Sequence, residues 1–313
     1  MKKLNLATKS LMLILLLIQI CGCLPKIQIQ EKRMDDDALS LIEKGKKQFS
    51  VGDYESALRS FQKVLDISKT IDNQQVAAIA YNNIGTTLLM SGDFDNSEES
   101  FKNALEINRK LNVIGELLVN LNNLGKLYMK KKDYQNARKM YEESLAESQS
   151  AKDMIATATI YNNLGICEMD TGDFEKAKGL FEKSAKINRA ENNQDGIAIN
   201  MLNLGNLFQQ QQKYNDALNY FENALKIHKK LEDSYSISSD LSSIGYVLEK
   251  LAKNSEALEY YQRAYEINEK LGMKDRMKKD ISDIMRVAEM LKNKEIIETY
   301  QKKLNATNGS HLP

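Results

Sequence analysis

Side chains that could act as general acids, bases or nucleophiles are few in this sequence of 313 residues. The chain has two histidines, His228 and His311. Neither has an evident partner, because one falls late in a predicted helix and the other in the C-terminal tail. Ser60 and Lys63 match the spacing of a Ser-x-x-Lys motif, but this spacing is frequent in helices rich in serine and lysine. We therefore predict that the protein is not an enzyme.

Nucleotide and metal sites also lack the residues that they require. Gly45-Lys46 and Gly125-Lys126 lie inside helical patterns and lack the preceding glycine and the following hydroxyl of a phosphate-binding loop. Cys167 stands alone and is predicted on the inner side of its helix, where a free thiol behaves as a small apolar group. We predict no cofactor and no metal ion.

The charges of the chain exclude another class of partner. Lysine and arginine together number 44 against 43 acidic residues, and the two signs are interleaved along the sequence. A protein that binds phosphate backbones needs a continuous basic surface, so nucleic acid is not expected as a partner. The acidic run from Asp35 to Asp37 is predicted to be the start of a helix rather than a calcium-binding loop.

Asparagine recurs with a regular spacing in this sequence. Its side chain competes with the backbone for hydrogen bonds, so it is a poor choice for the interior of a helix. Its amide offers both a donor and an acceptor, as a peptide unit does. These residues recur at intervals of 40, first as adjacent pairs and then singly: Asn82, Asn83, Asn122, Asn123, Asn162, Asn163 and Asn203.

The elements that must position these side chains are helices. Pro25 and Pro313 are the only prolines, so the sequence between them contains no residue that removes a backbone donor. The strong helix formers Leu, Lys, Glu, Gln and Ala are abundant, and apolar residues make up 42% of the chain, which is enough to bury a core. The composition predicts an all-α fold.

A long internal repeat organises these helices. In the unit around Gly85, Tyr81, Ile84 and Leu88 fall on one face of a helix, and residues 92–94 (Gly-Asp-Phe) form a turn to a second helix. An alanine or serine follows each repeat glycine after twelve residues, and an aromatic residue follows after another four. The repeat glycines, at intervals of 40, are Gly45, Gly85, Gly125, Gly165, Gly205 and Gly245.

This pattern resembles the tetratricopeptide repeat, in the 40-residue form of kinesin light chains and of bacterial Rap-type peptide receptors. The resemblance covers residues 38–304 and implies an all-α, right-handed α-solenoid of antiparallel helix pairs, with six clear repeats and a degenerate C-terminal capping pair. The proline that usually closes the repeat is missing, which predicts a longer second helix in each repeat. Residues 305–313 are predicted to be a disordered tail.

The resemblance also implies a binding surface. In tetratricopeptide arrays, the face of the first helices opposite their packed face lines a concave groove. That face would carry the seven asparagines named above, together with Lys126, Asn206 and Tyr246. The resemblance implies that the asparagines point away from the core and hold the main chain of an extended peptide. Two alternatives stay open: the asparagines bond to neighbouring helices, or they were merely copied with the repeat.

The amino terminus predicts export. In residues 1–22, three lysines precede an apolar run from Leu11 to Ile18, which is typical of a secretory signal peptide. The run is shorter than the roughly 20 residues that a transmembrane helix needs. The tetrapeptide Ile20-Cys21-Gly22-Cys23 resembles a bacterial lipobox, with Cys23 as the lipidated first mature residue. Cys21 departs from the residues usual at that position, so ordinary cleavage without lipid stays open.

Residues 23–37 are predicted to form a polar tether, and Leu24 favours the outer membrane or cell surface over the inner membrane by analogy with other lipoproteins. The expected function is therefore a non-catalytic scaffold, anchored by lipid at the bacterial cell envelope, that binds a protein or peptide. The alternative is a peptide-sensing receptor of the Rap type. Those receptors are cytoplasmic and carry an extra amino-terminal helical bundle.

Overall fold

The computed structural model describes residue 34 and residues 36–309. The predicted signal peptide, Cys23, residues 24–33 of the predicted tether, residue 35 and the last four residues lie outside this range. Within it the chain forms fourteen α-helices and no strand. The helices are α1 (36–50), α2 (Tyr54–Thr70), α3 (Gln74–Ser91), α4 (Phe94–Leu111), α5 (Ile114–Lys130), α6 (Tyr134–Ser150), α7 (Met154–Asp170), α8 (Phe174–Ala190), α9 (Gln194–Gln210), α10 (Tyr214–Lys230), α11 (Ser234–Lys250), α12 (Asn254–Lys270), α13 (Lys274–Met290) and α14 (Lys294–Gly309).

The turns between helices share one backbone conformation. Each of the thirteen connections among the described helices contains a residue with positive φ, and these residues recur at a constant interval, as Gly52, Asp72 and Gly92 do. At the end of α3, Gly92 has φ 88° and the Asp93 N–H donates to the Leu88 carbonyl at 2.9 Å, which satisfies a carbonyl of the last helical turn. The turn conformation therefore recurs at half the interval of the sequence repeat.

Many helices begin with a side-chain cap. Asp93 accepts a hydrogen bond from the Asn96 backbone N–H, and Asp153 does the same for Ala156. Such a cap satisfies one of the backbone donors that a helix start leaves unpaired. The Gly-Asp-aromatic turn thus combines a helix end with the next helix start.

Packing within each pair follows the prediction from the glycines. A Cβ atom added to Gly165 would lie 2.4 Å from a ring carbon of Phe181, so the aromatic ring of the second helix rests on the glycine backbone of the first. Next to the equivalent Gly85, the hydroxyl of buried Ser97 donates to the Gly85 carbonyl at 2.7 Å. The glycine, the small residue and the aromatic therefore form one contact, as their spacing predicts.

The helices divide into two compact units, one up to Ser144 and one from Leu145, with the division inside α6. The core of the first unit contains Phe61, Phe101 and Tyr141, all almost fully buried. The core of the second unit contains Phe181, Phe221, Tyr261 and the apolar residues of the degenerate C-terminal pair. In both units, antiparallel helix pairs stack as in an all-α solenoid, which confirms the predicted fold class.

First and second helices have nearly equal lengths, 17 residues in both α7 and α8, so the second helix is not longer than the first. Two details differ from the sequence analysis. Helix α14 ends at Gly309, so residues 305–309 are helical rather than disordered. Helix α1 includes residues 36 and 37, which were assigned to the tether.

Candidate functional site

The repeated asparagines of the first unit are joined by hydrogen bonds between helices. Asn108, at the end of α4, donates from Nδ2 to Asn120 Oδ1 at 2.7 Å, and Asn120 donates to Asn82 Oδ1 at 3.1 Å. Asn123 donates to the same Asn82 oxygen at 2.9 Å. Asn82 on α3 therefore accepts two hydrogen bonds from α5, and the amide of Asn120 links them to α4.

The second unit contains the same arrangement, displaced along the chain by two sequence repeats. Asn188 donates to Asn200 Oδ1 and Asn200 donates to Asn162 Oδ1, both at 2.8 Å. Asn203 donates to Asn162 Oδ1 at 3.2 Å. The prediction that all seven asparagines point away from the core is wrong for Asn162 and Asn203, whose exposed fractions are 6% and 8%. The physical reason is that they bond neighbouring first helices to each other.

Each side chain in these two pairs uses only one of its two polar atoms for the bonds between first helices. Asn82 and Asn162 accept through Oδ1, while Asn123 and Asn203 donate through Nδ2. Within the described part of the chain, the Nδ2 atoms of Asn82 and Asn162 make no hydrogen bond. In the same part of the chain, the Oδ1 atoms of Asn123 and Asn203 make none either. Each bonded pair thus keeps one donor and one acceptor, which match the acceptor and donor of a peptide unit.

The other predicted asparagines behave differently. Asn83 donates to the Ile79 carbonyl of its own helix at 2.9 Å. Asn122 and Asn163 are half-buried, and neither is without a partner. The repeated asparagines are therefore not one uniform row, and the structure favours the pairs Asn82–Asn123 and Asn162–Asn203.

The pair in the second unit lines a cavity of about 260 Å³ between α7 and α9. Asn162, Asn163 and Asn203 contribute its amide wall, and Ile166 and Ile199 contribute apolar walls. Ile199 is an aliphatic side chain with 47% of its surface exposed. The cavity thus combines side-chain amides, which can hydrogen-bond to a peptide main chain, with room for an apolar side chain, the usual composition of a ligand site.

A second cavity, of about 490 Å³, contains two more predicted residues, Asn206 and Tyr246. Tyr246 on α11 is partly exposed, and the Lys250 ammonium lies 5.1 Å from the centre of its ring. The remaining lining residues come from α9, α11, α12 and α13, which places this cavity on the other side of α9 from the first.

Lys126 lies in the first unit on α5, one turn after Asn123. Its side chain is exposed, yet the surrounding protein lowers the pKa of its ammonium by desolvation.

Sequence reasoning missed the buried amides that orient these side chains. Asn108, Asn120, Asn188 and Asn200 are at most 2% exposed. The signal that could have revealed them is a polar pair twelve residues apart, with one member near the end of a second helix and the other in the first half of the next first helix. Asn268 and Asp280 repeat this spacing, with Nδ2 and Oδ2 2.6 Å apart.

His228 occupies the same position in the repeat and does have a partner, contrary to the sequence analysis. Its Nδ1 lies 2.6 Å from Asp240 Oδ2, and burial raises the pKa of the Asp240 carboxyl. Both side chains are almost fully buried in the helix packing, at 4% and 0% exposure. A substrate could not reach this pair, so it has the features of a structural contact.

The remaining predictions of chemistry concern metals and membranes. Cys167 is fully buried on α7, which confirms its predicted inner position. Among the residues that the structure describes, no group of three potential metal-binding side chains is brought together. In the same part of the chain, no helix has the length and apolar character that crossing a membrane requires.

Comparison with known families gives a match over most of the chain. The family described as tetratricopeptide repeat matches residues 38–110, 116–190 and 196–270. A comparison with curated proteins found no match.

Several crystal structures have a similar fold. A Rap protein complexed with Competence and Sporulation Factor is 14% identical, with a TM-score of 0.63 over 88% of this chain and 75% of that one. The apo form of RapI is 16% identical, with a TM-score of 0.61 over 87% of this chain and 97% of that one. BtubC from P. vanneervenii is 20% identical, with a TM-score of 0.59 over 70% of this chain and 92% of that one. At such identities the likeness concerns the fold alone.

Proposed function

Because the chain belongs to the tetratricopeptide-repeat family, we propose that it is a non-catalytic scaffold that binds an extended segment of a protein or peptide along its first helices. All-helical proteins of this family typically act by binding rather than by catalysis. The His228–Asp240 pair is buried in the helix packing, which is in keeping with a structural role for these two side chains.

The observation that carries the proposal is the bonded amide pair Asn162–Asn203. Its shared hydrogen bond fixes both side chains, so that ligand binding need not immobilise them. The unused Nδ2 of Asn162 and Oδ1 of Asn203 can pair with one carbonyl and one N–H of an extended main chain. Buried Asn200 also orients Asn162, because it donates a hydrogen bond to the Asn162 side chain.

The test is selection of random dodecapeptides displayed on phage against the full-length chain purified in detergent. We expect the chain to enrich peptides whose affinity falls in the variant Asn162→Ala, Asn203→Ala. Two lost hydrogen bonds cost about 1 to 3 kcal/mol, or roughly 5- to 150-fold in Kd. Asn223→Ala is the matched control, because Asn223 is exposed on second helix α10.

Circular dichroism decides whether the variants are folded. If the double variant is not fully helical, Asn203→Ala alone takes its place, because it leaves the bond between Asn200 and Asn162 intact. Failure of the wild-type chain to enrich any peptide would refute the proposal. Equal binding by folded wild type and variant would show that the amide pair does not hold the ligand.

A second candidate function is that of a receptor for a short signalling peptide. A Rap protein of similar fold is complexed with Competence and Sporulation Factor, and the observation that favours this function here is the recessed cavity of about 260 Å³. The two functions differ in what occupies the cavity in the cell. Mass spectrometry of small peptides that co-purify with the full-length chain would distinguish a peptide receptor from a scaffold for larger proteins.

We also propose that the protein is exported and anchored by lipid at the bacterial envelope, in the outer membrane. The support is the sequence of residues 1–23, with its lysines, its short apolar run and Cys23 in a lipobox-like setting. Leu24 after Cys23 supports the outer membrane or cell surface. The scaffold would then bring its partner to a membrane surface.

A further inference from the structure

The larger cavity, on the far side of α9, differs in character from the smaller one between α7 and α9. It has no aliphatic wall, and its lining combines hydroxyl and amide groups with charged side chains. The charged members are all on α13, with spacings of three and four residues that bring them to one side of the helix. They are Arg276, Lys279, Asp280, Asp283 and Arg286.

The acidic side chains of this cavity are engaged by the protein itself. Asp280 is 2% exposed, and its two carboxyl oxygens accept from Ser242 and Asn268. Burial raises the pKa of this carboxyl. Asp283 pairs with Arg286, which also pairs with Glu249. The acids are therefore turned inward or neutralised, and they contribute little to what a ligand meets.

Two cations remain available. Within the described residues, no carboxylate lies at ion-pair distance from Arg276 or Lys279, although Lys279 acts on Asp280 from farther away. The Arg276 guanidinium lies 3.7 Å from the centre of the Tyr235 ring and makes long contacts of 3.4 Å to the Tyr235 carbonyl and Ser238 Oγ. A planar guanidinium held against an aromatic ring is well oriented to bind a carboxylate.

Both cavities have lining residues on α9. Asn203 lines the first and Asn206 lines the second, one helical turn apart. Helix α11 lies between α9 and α13 in the order of first helices. With a spacing of about 8 to 10 Å for each of the two steps, the distance from Ile199 on α9 to Lys279 on α13 comes to roughly 16 to 20 Å. An extended chain advances about 3.3 Å per residue, so it spans this distance with about four to six residues.

We propose that the preferred ligand is an extended peptide with an aliphatic side chain in the smaller cavity and an acidic side chain, about four to six residues away, bound by Arg276 and Lys279 in the larger one. This inference rests on the proposed function and adds which side chains the peptide ligand should carry. The amide pair Asn162–Asn203 holds the main chain, and the two cavities select its side chains.

The experiment uses random dodecapeptides displayed on phage and the full-length chain in detergent. We expect enriched sequences to share an aliphatic and an acidic residue at this spacing. A fluorescent peptide made from the consensus should bind about tenfold more weakly to Arg276→Gln and to Lys279→Glu. Lys278→Glu is the matched control, because Lys278 is an exposed neighbour on α13 that does not line the cavity.

A peptide with glutamine in place of its acidic residue provides a test that needs no protein variant. It should lose about tenfold in affinity for the wild type and lose little for Lys279→Glu. Enriched peptides without an acidic residue, or equal effects of Lys278→Glu and Lys279→Glu, would overturn this inference and leave the proposed function intact. Failure to enrich any peptide would overturn both.

Discussion

At the scale of single residues, the repeat glycines show how closely the two helices of a pair approach. Gly165 leaves no room for a methyl group, because a Cβ there would lie 2.4 Å from the Phe181 ring. Phe181 is completely buried, so its ring has little freedom to move aside. Gly179 on α8 has nothing within 4 Å of the corresponding position. Close packing therefore requires a glycine at position 165 on α7, whereas it does not require one at position 179 on α8.

We predict that Gly165→Ala lowers the free energy of unfolding by about 1 to 3 kcal/mol, the usual range for overpacking. Gly179→Ala should raise it by about 0.5 to 1 kcal/mol, because alanine is the better helix former and meets no obstacle. Urea unfolding followed by circular dichroism measures both. Changes of the same sign in the two variants would contradict the described contact between Gly165 and Phe181.

The asparagines show what a sequence can reveal at this scale. Their regular spacing was visible, and so was the chemical fit of an amide to a peptide unit. Their mutual bonds were not, because they join residues 38 and 41 positions apart on neighbouring first helices. A pattern within one helix assigns a side chain to a face, but it does not show which other side chains that face meets.

At the scale of helices, the sequence predicted the pairs well and the turns only in part. Glycine, small residue and aromatic recur once in each sequence repeat because they form one contact in each pair. The turns recur twice in each repeat through a left-handed conformation, which nine non-glycine residues adopt in the described part of the chain, including Lys132, Gln212 and Ala252. No residue type identifies them, so only the fixed length of the helices shows where they lie.

Ala252 is the least suited of these turn residues. Its φ is +58°, and this conformation costs a residue with a Cβ about 1 to 2 kcal/mol. Asparagine tolerates it better because its side chain can bond locally. We predict that Ala252→Gly raises the free energy of unfolding by about 0.5 to 1 kcal/mol, since part of the relief is offset by the entropy of glycine.

Asn192→Gly is the matched control for this turn. Asn192 has φ +53° at an equivalent position, so its replacement should change stability by less than about 0.5 kcal/mol. Thermal unfolding of the wild type and both variants gives the comparison. A loss of stability in Ala252→Gly would mean that strain at this turn is not relieved by removing the Cβ.

At the scale of the whole molecule, each compact unit carries one copy of the four-asparagine cluster. In the second unit, the later first helices, α11 and α13, do not carry this cluster. Leu202 and Asp240 stand where the cluster has Asn162 and Asn200, and the Asp240 Oδ1 is buried without a hydrogen bond among the described residues. The face then becomes hydroxyl-rich and cationic, so the second unit offers different chemistry along its length.

The location of the protein is a prediction at this scale as well, and it depends on one residue. We predict that Cys23→Ser abolishes lipidation and releases the protein from membranes, because each buried methylene of an acyl chain contributes about 0.8 kcal/mol and firm anchoring takes more than one chain. Mass spectrometry of the mature amino terminus and membrane fractionation measure the result. Cys21→Ser is the matched control, because it changes the same residue type before the proposed cleavage site and should leave Cys23 lipidated. A mature chain that begins elsewhere, or a Cys23→Ser protein that still partitions into detergent, would show that Cys23 is not the anchor.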